Sequence, residues 1–458
     1  MSDRKSIYKP RPISGFPEWL PEYRAVELAW MDRIRRVFES YGYCSIETPA
    51  VEELNVIGAK GEVDKEIYVL ERLHKEDGEK SEARLALHFD QTVPLARYVA
   101  QHFNELDFPF KRYQMQKVWR GERPQVGRMR EFYQCDIDVI HVDNLPIAFD
   151  AEVASVIYQA LSSLEIGRVQ IRISNRKVLL GLLEALNVAD PVAVTRAVDK
   201  LEKIGPEKVR QVLKDEVALS DAAIDAVLQL AGTKGGTEEL RGITSQNATM
   251  QEGLDELNFV MGALAHLPEG AAIADLSIVR GLDYYTGTVY ETKLLDVPEF
   301  IGSVCSGGRY DDLAGNYISR HLPGVGISIG FSRLFDVLKD AGKIKPGRRT
   351  PTDILVVLRS EEERPLANVL AQIMRNHQAN VEVFHTAKNP NKQVEYARKK
   401  GIPFVGFLTE ASTNGTLEIT QLETNAKGAI NAGEWAIRTK FAHAPEMAEA
   451  LLSKYRQQ

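Results

Sequence analysis

The stretch Val118-Trp119-Arg120-Gly121-Glu122-Arg123-Pro124, followed after three residues by Arg128-Met129-Arg130-Glu131-Phe132-Tyr133-Gln134, decides how this chain reads. It lies inside residues 110–142, which read as two strands around a polar loop. In the second strand Tyr133, Cys135, Ile137 and Val139 alternate with Gln134, Asp136 and Asp138. A period of two puts those three polar side chains on one face. In the first strand Gln114, Gln116 and Arg120 share a face. The connection Gly121–Gly127 holds Pro124 and is too long for a two-residue hairpin turn. A face bearing Gln, Gln, Arg, Gln, Asp and Asp is a poor candidate for core. It is either solvated or the floor of a ligand site.

Charge separates this segment from the rest. The whole chain carries 57 Lys and Arg against 64 Asp and Glu, a net of −7. That balance excludes a general nucleic-acid coat, which would be strongly basic. Residues 111–130 hold Lys111, Arg112, Lys117, Arg120, Arg123, Arg128 and Arg130 against Glu122 alone, a local +6. A basic site in an acidic protein points to a focused anionic ligand.

At ~100–200 residues per domain, 458 residues suggest about three domains. Hydrophobic residues are 44% and charged residues 26%, which excludes a disordered or collagenous chain. No run approaches the ~18 apolar residues of a spanning helix, so no membrane is expected among the partners. Met1-Ser2-Asp3-Arg4-Lys5 leads into no apolar stretch, which argues against a secretory signal. Cys44, Cys135 and Cys305 lie far apart, so a reduced, cytoplasmic setting is expected.

Working outward, residues 22–41 have helical spacing, with Gly42 as a stop. Residues 43–49 read as a strand ending at Pro49, and Ala83–Phe89 as another. Pro94 suits the first turn of a helix reaching His102. A helix is expected over 150–164 with Asp150 as its cap, then a strand over Val169–Ser174. Between 176 and 266 the sequence turns to short helical stretches, Val178–Leu186, Val192–Ile204, Val209–Leu213 and Ala222–Leu230, a helical insertion. Strands are expected at Ser277–Val279, Thr288–Thr292 and Ile301–Cys305. Residues 324–338 read as a glycine-rich strand and a helix capped by Ser332. Ala341–Thr352, with two glycines and two prolines, reads as a linker. Beyond it, strands at Asp353–Leu358, Val381–Phe384 and Phe404–Leu408 alternate with helices at Arg364–Arg375 and Gln393–Lys400, a small α/β domain.

Four constellations could carry chemistry. In the first, Arg120 and Arg128 flank the loop, and guanidinium forks match phosphate oxygens. Glu122 between them could accept from a base amino group. The bland reading is a solvated basic hairpin. The second is Arg280-Gly281-Leu282-Asp283-Tyr284-Tyr285, a pocket wall or a turn with a structural ion pair. The third is Ser306-Gly307-Gly308-Arg309-Tyr310-Asp311-Asp312-Leu313, whose paired glycines permit close backbone approach and also occur in any bulge. The fourth is Gly330-Phe331-Ser332-Arg333-Leu334, with Arg333 in the first turn of a helix, where anions are favoured. No GK[ST] phosphate loop occurs. The nine histidines show no zinc-ligand spacing. Cys135 alternates onto the apolar side and reads as core.

Together these elements resemble a class II aminoacyl-tRNA synthetase and, within that class, the histidyl-tRNA synthetase family. Residues 118–134 resemble class motif 2, Gly330–Leu334 motif 3, and the helix and strand ending at Pro49 motif 1, a dimer element. Arg280–Tyr285 and Ser306–Leu313 resemble the two stretches peculiar to the histidine enzymes. The resemblance implies an α+β catalytic core with a mostly antiparallel sheet, split between 1–175 and 267–345. It also implies a helical insertion at 176–266 and a C-terminal α/β anticodon-binding domain at 353–458. It implies histidyl-adenylate formation from L-histidine and ATP, with Mg2+ carried by ATP, then transfer to tRNA(His) by a cytoplasmic homodimer.

By the same resemblance Arg120 holds the α-phosphate, Glu122 the adenine side, and Arg128 and Arg333 the β- and γ-phosphates. Arg280 is an additional arginine at the α-phosphate, beside the histidine. Asp90 and Thr92 match the α-amino site, and Gln134, Asp138, Tyr284 and Tyr285 the histidine pocket. Three positions depart from the commoner pattern: His88 stands for arginine, Asp90 for glutamate and Ser332 for an acidic residue. In the C-terminal domain, Lys388, Lys392, Arg398, Lys399 and Lys400 against Glu395 make a basic edge suited to the tRNA backbone. The same residues also fit a plain solvated helix face. Two other functions compete. One is a non-catalytic, synthetase-like regulatory subunit that senses histidine. The other is an adenylate-former that acylates a protein or small amine.

Overall fold

The computed structural model describes residues 9–58, 67–72, 84–124, 127–279, 285–297, 300, 302–312, 314–376 and 378–432. Within them the chain divides into two compact units, Met1–Glu18 with Ala29–Lys345 and Trp19–Leu28 with Pro346–Gln458.

In chain order the elements begin with α1 (Pro21–Ser40), which spans the division at Leu28, and continue in the larger unit with β1 (Cys44–Ser45), β2 (Val51–Glu53), α2 (Leu54–Ile57), β3 (Val69–Leu70), β4 (Leu85–Leu87), α3 (Thr92–Gln101), β5 (Phe110–Trp119), β6 (Glu131–Ile140), α4 (Ala148–Ser162) and β7 (Val169–Asn175). Helices α5 (Arg176–Ala185), α6 (Pro191–Val198), α7 (Leu201–Ile204), α8 (Pro206–Asp215), α9 (Asp221–Ala231), α10 (Thr237–Arg241) and α11 (Ala248–Ala263) follow, with β8 (Lys234–Gly235) among them. The chain then returns through β9 (Ala272–Asp275), β10 (Thr288–Leu294), β11 (Cys305–Tyr310), β12 (Gly324–Ile329) and α12 (Phe331–Asp340).

Nine of these strands form one sheet in the order β1-β5-β6-β12-β11-β10-β7-β9-β8. Only β1–β5 and β7–β9 pair in parallel. The remaining neighbours are antiparallel. This is the mostly antiparallel sheet expected of the core. Strands β2, β4 and β3 make a separate small sheet.

The long sheet has two unlike faces. Cys135, Ile137 and Val139 of β6 share a face with Val325, Ile327 and Ile329 of β12, by the cross-strand register. All are buried, and α4 and α12 pack against these strands. Burying such side chains stabilises by roughly 1.5–3 kcal/mol each. The opposite face carries the alternate, polar residues. A one-residue slip would exchange the faces, so the apolar side locks the register.

Several local expectations change. Asp150 does not cap α4, which begins at Ala148. It lies in the first turn, buried, with Arg309 Nη2 at 2.5 Å and Arg309 Nε at 3.1 Å. That fork ties α4 to β11. Ser332 likewise lies inside the first turn of α12, behind an N-cap at Gly330. Ser277–Val279 is not a strand; β9 ends at Asp275. The expected strand over 301–305 begins at Cys305 and runs through the paired glycines, so Ser306–Tyr310 is sheet rather than bulge. Helix α11 was not among the expected stretches, although Met250, Leu254, Leu257 and Met261 recur at helical spacing and are buried.

The smaller unit contains β13 (Ile354–Val357), α13 (Arg364–Asn376), β14 (Val381–Val383), α14 (Pro390–Lys400), β15 (Phe404–Phe407), β16 (Thr416–Gln421) and β17 (Lys427–Asn431). Its sheet order is β14-β13-β15-β16-β17. The first three strands are parallel, and β16 and β17 add an antiparallel edge. Leu370, Ala371 and Met374 of α13 belong to one core cluster and Ala397 of α14 to another. Helices on both faces explain why these parallel strands read as continuous apolar runs.

Close approach of β11 and β12 depends on Gly307, where a Cβ would meet the Gly326 carbonyl oxygen at 2.1 Å. Gly307→Ala should therefore destabilise the larger unit by about 1–3 kcal/mol through overpacking. Chemical denaturation followed by circular dichroism reads this directly. A midpoint equal to wild type would refute the contact.

Candidate active site

The polar face forms the site. Cross-strand register places Gln116 opposite Gln134, Gln114 opposite Asp136 and Arg112 opposite Asp138. The same rows continue to Ser328 and Gly326 of β12, then to Ser306 and Gly308 of β11. The face is not solvated, because Gln114, Asp136 and Asp138 are all buried. It is the floor of a cavity of about 480 Å³ lined by, among others, Arg120, Glu122, Arg128, Gln134 and Arg333. A narrower space of about 30 Å³ adjoins, lined by Thr92, Asp136, Asp138, Tyr285 and Tyr310. Ser306 and Ser328 line both.

The wider cavity is lined by three arginines among the described residues, Arg120, Arg128 and Arg333. Arg120 Nε donates to the Phe89 carbonyl at 3.1 Å, and its guanidinium stacks over Phe132 at 5.2 Å. Glu122 sits between Arg120 at 4.0 Å and Arg128 at 3.5 Å. Arg333 projects from the first turn of α12, over Phe300 at 5.1 Å. Gly127, with φ +70°, lets the loop pass Arg333; a Cβ there would stand 3.3 Å from its Nε. The helix terminus and the arginines favour negative charge together.

His88 and Ser332, two departures from the family pattern, have structural partners. His88 is fully buried beside Trp119, with Nε2 2.7 Å from the Lys117 carbonyl oxygen. An acceptor there requires the proton on Nε2. Burial lowers the imidazole pKa, which keeps it neutral. The residue clamps the segment carrying Phe89 and Asp90 to β5. Ser332 Oγ accepts from the Tyr133 backbone N–H at 2.8 Å, joining α12 to β6. Asp90 Oδ1 accepts from Val93 N–H at 3.1 Å, so it caps the start of α3. The free N–H groups of a first turn require such an acceptor.

The narrow space is acid-floored. Arg112 Nη2 lies 2.5 Å from Asp138 Oδ2, and Tyr310 OH donates to Asp138 Oδ1 at 2.9 Å. Gln134 Nε2 donates to Ser328 Oγ at 2.8 Å. Burial pushes the Asp136 carboxyl up to about 7, while Arg112 and the Ser328 hydroxyl pull it down and Asp138 and Asp90 push it further up. Burial also raises the Tyr285 phenol, so its hydroxyl stays protonated and able to donate. Gly308 makes room for that ring, since a Cβ there would meet Tyr285 at 2.7 Å.

The structure thus brings Arg120, Glu122, Arg128, Gln134 and Arg333 around one cavity and Thr92, Asp138 and Tyr285 around its neighbour. Arg280 and Tyr284 lie outside the described residues. Cys135 is core, as expected. Sequence reading missed Arg112, Asp136, Ser306, Tyr310 and Ser328 as site residues. Asp136 was visible in the alternation, and Arg112 continues the Gln114–Gln116 period. Ser306, Tyr310 and Ser328 required the register of β11 and β12. In the smaller unit Lys388, Lys392, Arg398 and Lys399 are exposed. Arg398 is tied to the Leu422 carbonyl at 2.6 Å and Asn425 at 3.0 Å, and Lys399 to Glu395 at 2.9 Å.

An antiparallel sheet floored with polar residues, edged by arginines and closed by a helix N-terminus defines the catalytic core of a class II aminoacyl-tRNA synthetase. Residues 15–334 match the family model for histidyl-tRNA synthetase, and residues 353–436 that for an anticodon binding domain. A histidine–tRNA ligase of Thermobifida fusca is 54% identical, covering 89% of this chain and 93% of the relative. One from Micrococcus luteus is 43% identical over 92% of this chain and 95% of its own length. The crystal structure of histidyl-tRNA synthetase from Nostoc sp. PCC 7120 matches with a TM-score of 0.85 at 36% identity, covering 95% of this chain and 100% of that one. The chain belongs to the histidyl-tRNA synthetase family.

Asp136 gives the site a pH signature. Its folded pKa of about 7 lies above the unfolded value of ~3.9. Between those values the folded state keeps a proton that the unfolded state has lost. The associated stability is full below about pH 4 and is lost as pH rises through 7, a change on the order of a few kcal/mol. Asp136→Asn should flatten that slope and raise the melting midpoint at pH 8. Calorimetry at pH 5 and 8 checks this; an unchanged difference between the two midpoints would contradict it.

Proposed function

We propose that the wider cavity takes ATP and the narrower one the histidine side chain, in a chain that ligates L-histidine to tRNA(His) through histidyl-adenylate. The observation that carries this division is the shared wall at Ser306 and Ser328 between an arginine-lined cavity and an acid-floored one. It supports placing a carboxylate beside an α-phosphate. In the first step, a histidine carboxylate oxygen forms a bond to the α-phosphorus and pyrophosphate leaves. In the second, the 3′-terminal ribose hydroxyl of the tRNA attacks the histidyl carbonyl, AMP leaves, and the hydroxyl proton goes with it. The protein supplies alignment and charge neutralisation rather than a nucleophile.

Arg120 and Arg280 neutralise the α-phosphate, Arg280 beside the histidine, and Glu122 meets the adenine side. Arg128 and Arg333 hold the β- and γ-phosphates. Mg2+ arrives as part of the nucleotide substrate. Asp90 and Thr92 receive the α-amino group. Gln134, Asp138, Tyr284 and Tyr285 form the histidine pocket. An acceptor such as Asp138 rejects apolar analogues, because they leave it unpaired at about 1–3 kcal/mol.

The working division of the chain is a catalytic core at 1–175 and 267–345, an insertion at 176–266 and an anticodon-binding domain at 353–458. Lys388, Lys392, Arg398 and Lys399 face the tRNA backbone, with Lys388 and Lys392 the more available for it. Arg398 is bound to Leu422 and Asn425, and Lys399 to Glu395. The protein acts in the cytoplasm as a homodimer. Exposed Val69, Leu70 and Leu85 on the small sheet support an apolar contact between copies. Among the described residues no helix is long and apolar enough to cross a membrane. A histidine-sensing regulatory subunit would have no use for Arg120, Arg128 and Arg333 around one cavity, and their presence favours the ligase.

Histidine-dependent exchange of labelled pyrophosphate into ATP tests the first step. Exchange is expected, and none in folded protein would refute the reading. Arg280→Ala should slow exchange about 100-fold or more while leaving the melting midpoint near wild type. A near-normal rate would remove Arg280 from the α-phosphate. Sedimentation velocity should show a dimer at micromolar concentration, and a monomer throughout would refute the assembly.

A further inference from the structure

Arg112 has no role in the division of labour above, yet its side chain is wholly buried, at 0% exposure. Among the described residues its one ion pair is with Asp138, at 2.5 Å. None of its three guanidinium nitrogens makes a directed hydrogen bond to the described residues. A buried guanidinium with so many unmade bonds is unfavourable for folding, since cations are retained in protein interiors only when paired and hydrogen-bonded. Such a group needs an explanation beyond stability.

Geometry supplies one. Arg112 and Asp138 are direct partners across β5 and β6. Arg112 reaches Oδ2, while Tyr310 of β11 donates to Oδ1 at 2.9 Å. Gly326 of β12 stands opposite on the other side, where a Cβ would lie 2.0 Å from Oδ1. The carboxylate is thus held from β5 on one side and from β11 on the other, across the intervening β12, where Gly326 leaves room for it. The Asp138 side chain lines the narrow space together with Tyr285 and Thr92.

We propose that Arg112 is a positioning residue for histidine selection, aiming the Asp138 carboxylate at the imidazole N–H of the substrate through their buried ion pair. Arg112 touches no substrate itself. The proposal rests on Asp138 lying in the histidine pocket. It also explains why an arginine interrupts a run that continues with glutamines. Gln114 and Gln116 hydrogen-bond to each other and to Thr48. A glutamine at 112 would bring no charge to oppose two neighbouring carboxyls.

The test measures Michaelis constants for histidine and ATP by pyrophosphate exchange in Arg112→Met, Arg112→Lys, Asp138→Asn and the Arg112→Met/Asp138→Asn double variant. Arg112→Met should raise the histidine KM about tenfold or more, with the ATP KM within about threefold. Arg112→Lys keeps the charge without the fork and should recover part of the loss. In the Asp138→Asn background, Arg112→Met should change the histidine KM by less than about threefold, because no carboxylate remains to be aimed.

An equal loss in both backgrounds, or a parallel rise in both KM values, assigns Arg112 a structural role and overturns the proposal. If Arg112→Met alone does not fold, the double variant should, because it removes the orphaned carboxylate; a double variant that stays unfolded also overturns it. Asp138→Asn with an unchanged histidine KM would remove Asp138 itself from the pocket. That failure belongs to the reading beneath and is recognised by this single variant.

Discussion

The alternation of β6 between two hydrogen-bonded neighbours is the constraint on which the site depends. Cys135, Ile137 and Val139 turn to the helices, so Gln134, Asp136 and Asp138 must turn the other way. Antiparallel pairing then forces Arg112, Gln114, Ser328 and Gly326 into the same layer. No residue on that floor can be re-aimed singly, because its orientation is tied to an apolar partner on the strand's far side. The core thereby positions the chemistry. Burying α4 and α12 on one face fixes what the other face presents to a ligand.

That floor is electrostatically expensive to keep dry, and the structure meets the demand with paired charges. Arg309 and Asp150 form a buried fork behind the sheet. Arg112 and Asp138 form a buried single-contact ion pair within the site. Asp136 has no cation to itself, and burial pushes its carboxyl up to about 7. Arg120, Arg128 and Arg333 stand instead at the cavity wall. Under the proposed assignment of this cavity to ATP, that charge is preorganised for the polyphosphate.

Much of this was legible before any coordinate. The period of two in 133–139 separated core from floor, and the +6 segment contains Arg120 and Arg128 of the cavity wall. The parallel strands of the smaller unit were legible because strands buried on both faces are apolar throughout. The misreadings share a cause. Asp150 resembles a helix cap by residue type, but its partner Arg309 lies 159 residues away. Gly307 and Gly308 resemble a bulge, yet they are flat strand, needed because neighbouring groups occupy the place of a Cβ.

By itself the sequence determined the residue types of the reaction, their order along the chain, the two faces of the hairpin and the α/β character of the C-terminal unit. These depend on local periodicity and on motifs within some twenty residues. Only the tertiary structure decided which polar residues meet. It placed Ser306, Tyr310 and Ser328 beside Gln134 and Asp138, turned His88 into a neutral clamp, and buried Arg112 under the carboxylate it opposes. The physical reason is that cross-strand register joins segments far apart in sequence. A lone residue's alternation says which way it points, but not what it will face.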